Sequence, residues 1–216
     1  LNLKDYSSEI LVTDFKEIKN IKDFIEFRDP KKNSEMLIGS GFCELMINES
    51  FFENRKYFGN SLQTHNFIKS VKFIKLLTKM KQNFPDWSQT KQIERTVNLK
   101  KSFHSFGGNK VEIAGKNARL KKNEYFQKLI KGEHLSVQFF SDKKETKILS
   151  VCNQFFKNEN KKPFIIKGLV TKKTDYSLMD KLLKICLELT NLLKLRGLCN
   201  IDIILRIIFL LLGLDT

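Results

Sequence analysis

The sequence predicts an α/β protein in which an N-terminal lobe with parallel strands precedes a domain of antiparallel sheets. In the first third of the chain, β-branched segments alternate with helical periodicity, which is typical of a parallel βαβ unit. From Val97 onward, short apolar segments recur at the spacing of antiparallel strands. A length of 216 residues suits one ordinary domain or two small lobes. We place the lobes at residues 1–90 and 91–216.

The N-terminal lobe is predicted from the spacing of its apolar residues. β-branched residues mark two short strands, and apolar residues three to four apart mark the helices. A polar segment then leads into the second domain, and we interpret it as a linker. In chain order the elements are a strand at Ile10–Asp14, a helix around Ile18–Ile25 that ends at Asp29-Pro30, a strand at Met36–Ile38 with a glycine turn at Gly39–Gly41 and a short helix from Cys43, a helix over Thr64–Gln82, and the linker over Asp86–Val97.

The second domain is predicted as a series of strands with one long helix. Apolar residues on one face predict the helix, and basic residues before Gly197 suit its C-terminal end. The final two strands have no obvious turn between them. The strands are Val97–Lys101, Lys110–Ile113, Tyr125–Leu129, Leu135–Phe140, Ile148–Phe155, Phe164–Val170, Ile201–Leu205 and Ile207–Leu212, and the helix spans Tyr176–Leu195.

Composition limits the class of protein. Hydrophobic residues make up 41% of the chain, which excludes a wholly disordered protein. No uncharged apolar run reaches the roughly 18 residues of a membrane-spanning helix, and no secretory signal opens the chain. Cys43, Cys152, Cys186 and Cys199 show no metal-ligand spacing, so we expect them reduced and mostly buried. These features predict a cytoplasmic protein with no membrane partner.

Positive charge is the strongest bulk property. The 39 basic and 24 acidic residues give a net charge of +15 and a pI near 9.6. Such a charge suits nucleic acid, a membrane surface or a nucleotide. The lysines are scattered along the chain without an arginine-rich run or a zinc-finger spacing, so a solvated lysine-rich surface is the simpler interpretation. Nucleic acid is therefore not the partner that we expect.

The segment Leu99–Gly108 carries groups that suit a polyphosphate. A lysine stands at the end of a predicted strand, and small residues follow at the turn. The hydroxyl of Ser105 and the backbone N–H groups of Gly107 and Gly108 can approach phosphate oxygens, because no Cβ stands in the way at the glycines. The spacing is not that of a Walker loop, and a plain glycine turn is the alternative.

Two further segments complete a pattern. Tyr125–Val137 contains Gln-x-x-Ile-x-Gly-x-x-x-Ser-Val, and Leu195–Ile204 ends in an apolar strand that contains Asp202. Taken in this order with the lysine strand and glycine turn, the three segments resemble the ATP-grasp superfamily, specifically carboxylate–amine ligases related to biotin carboxylase. The resemblance covers about Leu99 to Ile204.

The resemblance implies an ATP-grasp domain that uses ATP and Mg²⁺. It further implies that a small-molecule carboxylate attacks ATP to give an acyl phosphate, which an amine then captures. The implied roles are phosphate binding by Lys101 (or Lys100 if the strand register slips), a flexible lid formed by Ser105, Gly107 and Gly108, adenine recognition by Gln127 and by the backbone of Lys128 and Leu129, ribose contact by Glu133 next to His134, and a metal ligand in Asp202.

The sequence also departs from the family pattern. His134 stands where the family usually has an acidic residue, and no Glu-x-Asn segment follows Ile204. The chain begins with Leu1 and stops at Thr216, so we expect a truncated or frameshifted fragment that is itself inactive. Two alternatives stay open: a catalytically dead ATP-grasp remnant and a basic nucleic-acid-binding module. Surface or salt-bridge roles likewise remain possible for Lys101, Gln127 and Asp202.

Overall fold

A computed structural model describes residues 18–37, 54–80, 84–103, 105, 107–159, 162–205 and 210–215. The predicted strand at Ile10–Asp14, the glycine turn at Gly39–Gly41 and the helix from Cys43 lie outside these ranges. The described helices are α1 (Ile18–Arg28), α2 (Leu62–Ile68), α3 (Val71–Lys79) and α4 (Tyr176–Leu193). The described strands are β1 (Glu35–Met36), β2 (Lys56–Tyr57), β3 (Trp87–Ser88), β4 (Asn98–Ser102), β5 (Val111–Ile113), β6 (Glu124–Lys128), β7 (Glu133–Asp142), β8 (Thr146–Glu159), β9 (Lys162–Thr171), β10 (Arg196–Leu205) and β11 (Leu210–Asp215).

Two antiparallel sheets form the larger part of the fold. The five-stranded sheet has the order β11-β10-β7-β8-β9, and the four-stranded sheet has the order β3-β6-β4-β5. Every neighbouring pair in both sheets is antiparallel. The predicted α/β class with antiparallel sheets is therefore confirmed. The N-terminal βαβ lobe stays a prediction, because the described part of that region shows only the two-residue parallel pair β1 and β2.

The core lies between α4 and one face of the five-stranded sheet. Strand alternation directs Leu135, Val137 and Phe139 of β7 to this face, and none has measurable exposure. Ile201 of β10 and Leu189 of α4 are equally buried. Burial of each such side chain contributes roughly 1.5–3 kcal/mol. The same alternation leaves the intervening residues of β7 and β10, many of them polar, on the opposite face.

The helix predicted over Thr64–Gln82 is interrupted. α2 ends at Ile68, and α3 starts at Val71 with Ser70 as its N-cap. The hydroxyl of Ser70 accepts a bond from the Phe73 N–H at 3.4 Å and donates to the Phe67 carbonyl at 2.6 Å. A serine side chain that bonds to the backbone in this way favours a helix start over a helix interior. The apolar residues of the segment keep the spacing of one continuous helix, so the sequence pattern did not predict this break.

The end of α4 also differs from its prediction. Lys194 takes the left-handed conformation (φ 53°) and its N–H donates to the Thr190 carbonyl, so the helix ends there and not at Gly197. Gly197 lies at the start of β10 with φ +85°, where a Cβ would stand 3.0 Å from the Cα of Gly59. Glycine is needed here for a close approach of two backbones.

The segment predicted as a linker contributes to the four-stranded sheet. Trp87 and Ser88 pair with Gln127 and Phe126 of β6. The side chain of Asn98 accepts a bond from the Ile93 N–H at 2.9 Å and thereby fastens the residues before β4. The boundary between residues 90 and 91 remains a prediction.

Three cysteines lie in the described ranges, and Cys152, Cys186 and Cys199 are free and buried, as expected. Burial raises the pKa of the Cys186 thiol to about 12, with a further contribution from Cys199. Among the described helices, none combines the length and hydropathy needed to cross a membrane.

Candidate functional site

A cavity of about 240 Å³ lies between the two antiparallel sheets and beside α2 and α3. β4 and β6 form one wall, and β8, β9 and β10 form the other. The lining is mixed, with apolar side chains from the helices and polar groups from the strands. The predicted site residues that line it are Lys101, Ser105, Gly107, Gly108, Gln127, Lys128, Leu129 and Asp202.

Strand alternation decides which of two neighbouring lysines reaches the cavity. Lys101 lines it, and its Nζ donates to Gln127 Oε1 at 3.1 Å. Lys100 points to the other face of β4, where its Nζ lies 2.5 Å from Glu112 Oε1 and 3.9 Å from Glu124 Oε2. The Glu112 hydrogen bond is the largest cause that raises the pKa of Lys100. Lys100 is therefore paired with carboxylates, whereas Lys101 faces a neutral amide.

The turn between β4 and β5 presents two glycines with different surroundings. Both have positive φ, +61° for Gly107 and +75° for Gly108. A Cβ on Gly107 would meet no described atom within 4 Å, and the residue lines the cavity. A Cβ on Gly108 would lie 1.8 Å from the carbonyl oxygen of Phe164 in β9. Because Gly108 has no Cβ, the turn can contact β9 on the opposite wall. The Ser105 hydroxyl donates to the Ser102 carbonyl at 3.1 Å.

β6 supplies the predicted adenine edge. Gln127 is 6% exposed, and its side-chain oxygen accepts from Lys101. The Nζ of Lys128 lies 3.3 Å from Asp86 at the rim. The Leu129 N–H already donates to the Val97 carbonyl at 2.8 Å, so it is committed within the sheet. Leu129 lines the cavity, and its contact with adenine stays a prediction.

The two neighbouring residues considered for the ribose, Glu133 and His134, face opposite sides of β7, and the ribose contact stays a prediction. Glu133 does not line the cavity, and its carboxylate accepts from Lys172 Nζ at 2.7 Å. His134, the next residue of β7, lines the cavity because successive strand residues face opposite sides. Its ring lies 4.9 Å from that of Phe156 and 5.8 Å from that of Phe164. Burial lowers the pKa of His134, and the nearby Lys101 lowers it further.

Asp202 lies within a hydrogen-bonded group on the polar face of the five-stranded sheet. Its Oδ1 accepts from Gln154 Nε2 at 2.6 Å and from Asn200 Nδ2 at 3.2 Å. The Asn200 side-chain oxygen accepts in turn from the Ser136 hydroxyl at 2.7 Å. The amides of β8 and β10 thus turn their N–H groups toward the same carboxylate oxygen.

The polar lining residues Lys69 and Gln154 were not among the predicted site residues. Lys69 reaches the lining because the chain leaves α2 at this point, and the helix break that places it there was not predicted. Gln154 joins Asp202 only through the cross-strand order β10-β7-β8. The sequence carries no clear signal for the second case, because Asn153 and Gln154 are adjacent polar residues on opposite faces of β8.

The chain matches the ATP-grasp domain family over residues 68–209. It belongs to this family. The ATP-grasp resemblance carried by the three sequence segments is confirmed, and the cavity lies in the matched region. Among curated proteins, none matches this sequence.

Several solved structures share the fold at low sequence identity. D-alanine–D-alanine ligase from Bacillus anthracis, complexed with ATP, has a TM-score of 0.61 and 16% identity, over 89% of this chain and 71% of that one. L-amino acid ligase from Bacillus licheniformis has a TM-score of 0.70 and 12% identity, over 93% of this chain and 53% of that one. Biotin carboxylase from Campylobacter jejuni has a TM-score of 0.67 and 16% identity, over 93% of this chain and 52% of that one. This chain therefore spans about half the length of the last two proteins.

ATP-grasp ligases use ATP with Mg²⁺, so the donor groups around Asp202 can be compared with the needs of that ion. Mg²⁺ requires oxygen ligands directed at it in octahedral geometry. Around Asp202 Oδ1 the two amides present N–H donors instead, and the Asn200 oxygen points to Ser136. Within the described ranges, no group of three or more His, Cys, Asp or Glu residues could hold a metal. The described arrangement does not fit Mg²⁺ at this carboxylate oxygen.

Proposed function

We propose that this ATP-grasp cleft binds ATP and that the protein ligates a carboxylate to an amine through an acyl phosphate. The observation that supports the proposal is the cavity itself. It brings Lys101, the Gly107 turn, Gln127 and Asp202 together between two sheets of an ATP-grasp domain. The apolar lining from α3 and the small sheet suits a purine ring, and the lysines suit its phosphates.

The proposed roles follow from the placement of each group. Lys101 provides a positive charge on the same wall as Gln127, so one nucleotide can reach both side chains. The open backbone at Gly107 can approach phosphate oxygens without a side chain in the way. Catalysis of phosphoryl transfer depends mainly on positioning and charge stabilisation, and these groups provide both.

The proposed reaction has two steps. A substrate carboxylate oxygen attacks the γ-phosphorus of ATP, the bond to the β–γ bridging oxygen breaks, and ADP leaves. The amine nitrogen then attacks the carbonyl carbon of the acyl phosphate, inorganic phosphate leaves, and the amine loses a proton to solvent. The positively charged lysines stabilise the phosphate oxygens during the first step.

ATP binding is tested with a matched pair of variants. We expect Lys101→Met to weaken ATP binding at least about tenfold, the effect of removing one charge-assisted hydrogen bond. Lys100→Met removes the same charge from the same strand but from the opposite face, so we expect a change below about twofold. Isothermal titration calorimetry measures both. Equal effects of the two substitutions would contradict the placement of the phosphates beside Lys101.

The acyl phosphate is tested by chemical trapping. With ATP, a panel of amino-acid and other carboxylates, and hydroxylamine in place of the amine, a ligase forms a hydroxamate. A catalytically inactive ATP-grasp domain would bind ATP and form none. The N–H groups directed at Asp202 favour the second candidate, a catalytically inactive domain. They occupy positions around Asp202 Oδ1 that a metal would otherwise approach.

A further inference from the structure

Gln127 is a buried polar side chain that lines the cavity from the four-stranded sheet. Its Oε1 accepts a hydrogen bond from Lys101 Nζ at 3.1 Å. A lysine ammonium can only donate, so it fixes which end of the amide is turned toward it. The oxygen of Gln127 therefore faces Lys101, and the amide nitrogen with its N–H donors faces away from the lysine.

The N–H donors of Gln127 are available to a molecule in the cavity. Among the residues that the structure describes, none accepts a hydrogen bond from Gln127 Nε2. This nitrogen is not enclosed by protein either, because within the described ranges only Asn153 Oδ1 is both enclosed and unpartnered. A buried amide whose donors await a partner discriminates between ligands that supply an acceptor and ligands that do not.

The position of Gln127 along the sheet decides which part of a nucleotide meets it. Gln127 lies opposite Leu99 of β4, two residues before Lys101 and so about 7 Å farther from the turn that contains Gly107. With the phosphates at this turn and beside Lys101, the base is directed to the far end of the wall. Leu99 and Leu129 provide apolar surface for a ring there.

We infer that the cleft binds a purine with a carbonyl group at C6, as in hypoxanthine and guanine, more tightly than it binds adenine. The inference rests on the proposed function, since it names the base that the same nucleotide site prefers. Besides the bond between them, Lys101 and Gln127 keep several N–H donors for a ligand, against one lone pair on Gln127 Oε1. A 6-oxo purine offers the acceptors O6 and N7, whereas adenine replaces O6 with an amino donor. Adenine still binds through its ring and its phosphates, so ATP remains a ligand.

The experiment measures the dissociation constants of ATP and of inosine triphosphate for the 216-residue chain under identical buffer and Mg²⁺ conditions. The two nucleotides share ribose and triphosphate and differ only at C6 and in the proton on N1. We expect inosine triphosphate to bind at least about threefold more tightly, the effect of one net hydrogen bond. Equal or tighter binding of ATP would overturn the inference and leave nucleotide binding intact. If neither nucleotide binds, the proposed function fails as well, so the two failures are distinguishable.

Substitutions of Gln127 should change the preference in a defined direction. Gln127→Glu presents only acceptors, so we expect the ratio of the two dissociation constants to shift toward ATP by about tenfold or more. Gln127→Met keeps the length of the side chain without its polar atoms and should bring the ratio close to one. Gln92→Glu makes the same charge change outside the cavity, where Gln92 bonds to the Gly115 carbonyl, and should leave the ratio unchanged.

Each ratio compares two ligands on one variant, so a general loss of affinity cancels. A ratio that stays at the wild-type value in both Gln127 variants would contradict the inference. If a variant fails to fold, the comparison in the wild-type chain decides.

Discussion

At the scale of single residues, His134 shows how the cavity sets the charge of a side chain. Its ring packs against Phe156 and Phe164, and burial together with Lys101 lowers its pKa from the ordinary value of 6.5. The unfolded chain binds a proton at this site more readily than the folded chain does. The free energy of unfolding should therefore decrease as pH falls below about 6.5 and level off once pH passes below the folded pKa.

Replacing His134 tests this linkage. In His134→Gln we expect the unfolding free energy to depend less on pH between about 7.5 and 5.5, because the site no longer takes up a proton on unfolding. Urea denaturation at several pH values measures the slope. His65 is 3% exposed and has a pKa lowered by burial and Lys69, so His65→Gln should reduce the slope independently. An unchanged slope in both variants would contradict the burial of these rings.

At the scale of elements, the turn between β4 and β5 joins the two walls of the cavity. Gly108 lies so close to the Phe164 carbonyl of β9 that any side chain must displace one strand, whereas Gly107 has open space around it. Both positions have positive φ, which costs roughly 1–2 kcal/mol for a residue with a Cβ. Only at Gly108 is a steric clash with backbone added to that cost.

The two glycines therefore form a matched pair. We expect Gly107→Ala to lower the unfolding free energy by about 1 kcal/mol and Gly108→Ala to lower it by clearly more, about 2–4 kcal/mol. ATP binding should weaken in Gly108→Ala, since the turn can no longer rest on β9. Urea denaturation and calorimetry measure the two effects. Equal destabilisation by both substitutions would show that the contact with Phe164 does not hold the turn.

The elements also show what sequence patterns can predict. β8 and β9 were predicted within their observed bounds because alternation and β-branched residues persist along both strands. The break at Ser70 was missed because the apolar stripe continues across it. The ATP-grasp resemblance pointed to Lys101 and Asp202, which both line the cavity, but the amides around Asp202 depend on the register of three strands. Glu133 does not line the cavity whereas His134 does, because a shift of one residue in a strand reverses the face.

At the scale of the whole molecule, the net charge of +15 has to be distinguished from the charge of the residues that line the cavity. Lysines occur along the whole chain, and several of the described ones pair with carboxylates, as Lys172 does with Glu133 and Lys184 with Asp180. Among the described residues, three lysines line the cavity, out of 39 basic residues in the chain. Attraction of the whole surface for a long polyanion is therefore a different property from binding of one nucleotide in the cleft.

The two properties respond differently to salt and to substitution. We expect a labelled DNA duplex to bind without sequence preference and to lose most of its affinity between about 50 and 200 mM salt, because such contacts release counterions from phosphates. Lys101→Met removes a cavity charge and should leave the DNA affinity nearly unchanged, although it weakens ATP binding. Fluorescence anisotropy with two unrelated duplexes, with Lys100→Met as the control for total charge, measures these effects. DNA binding that depends on sequence and persists at 200 mM salt would contradict the ligase interpretation and favour a nucleic-acid-binding module, because base contacts are far less sensitive to salt than phosphate contacts.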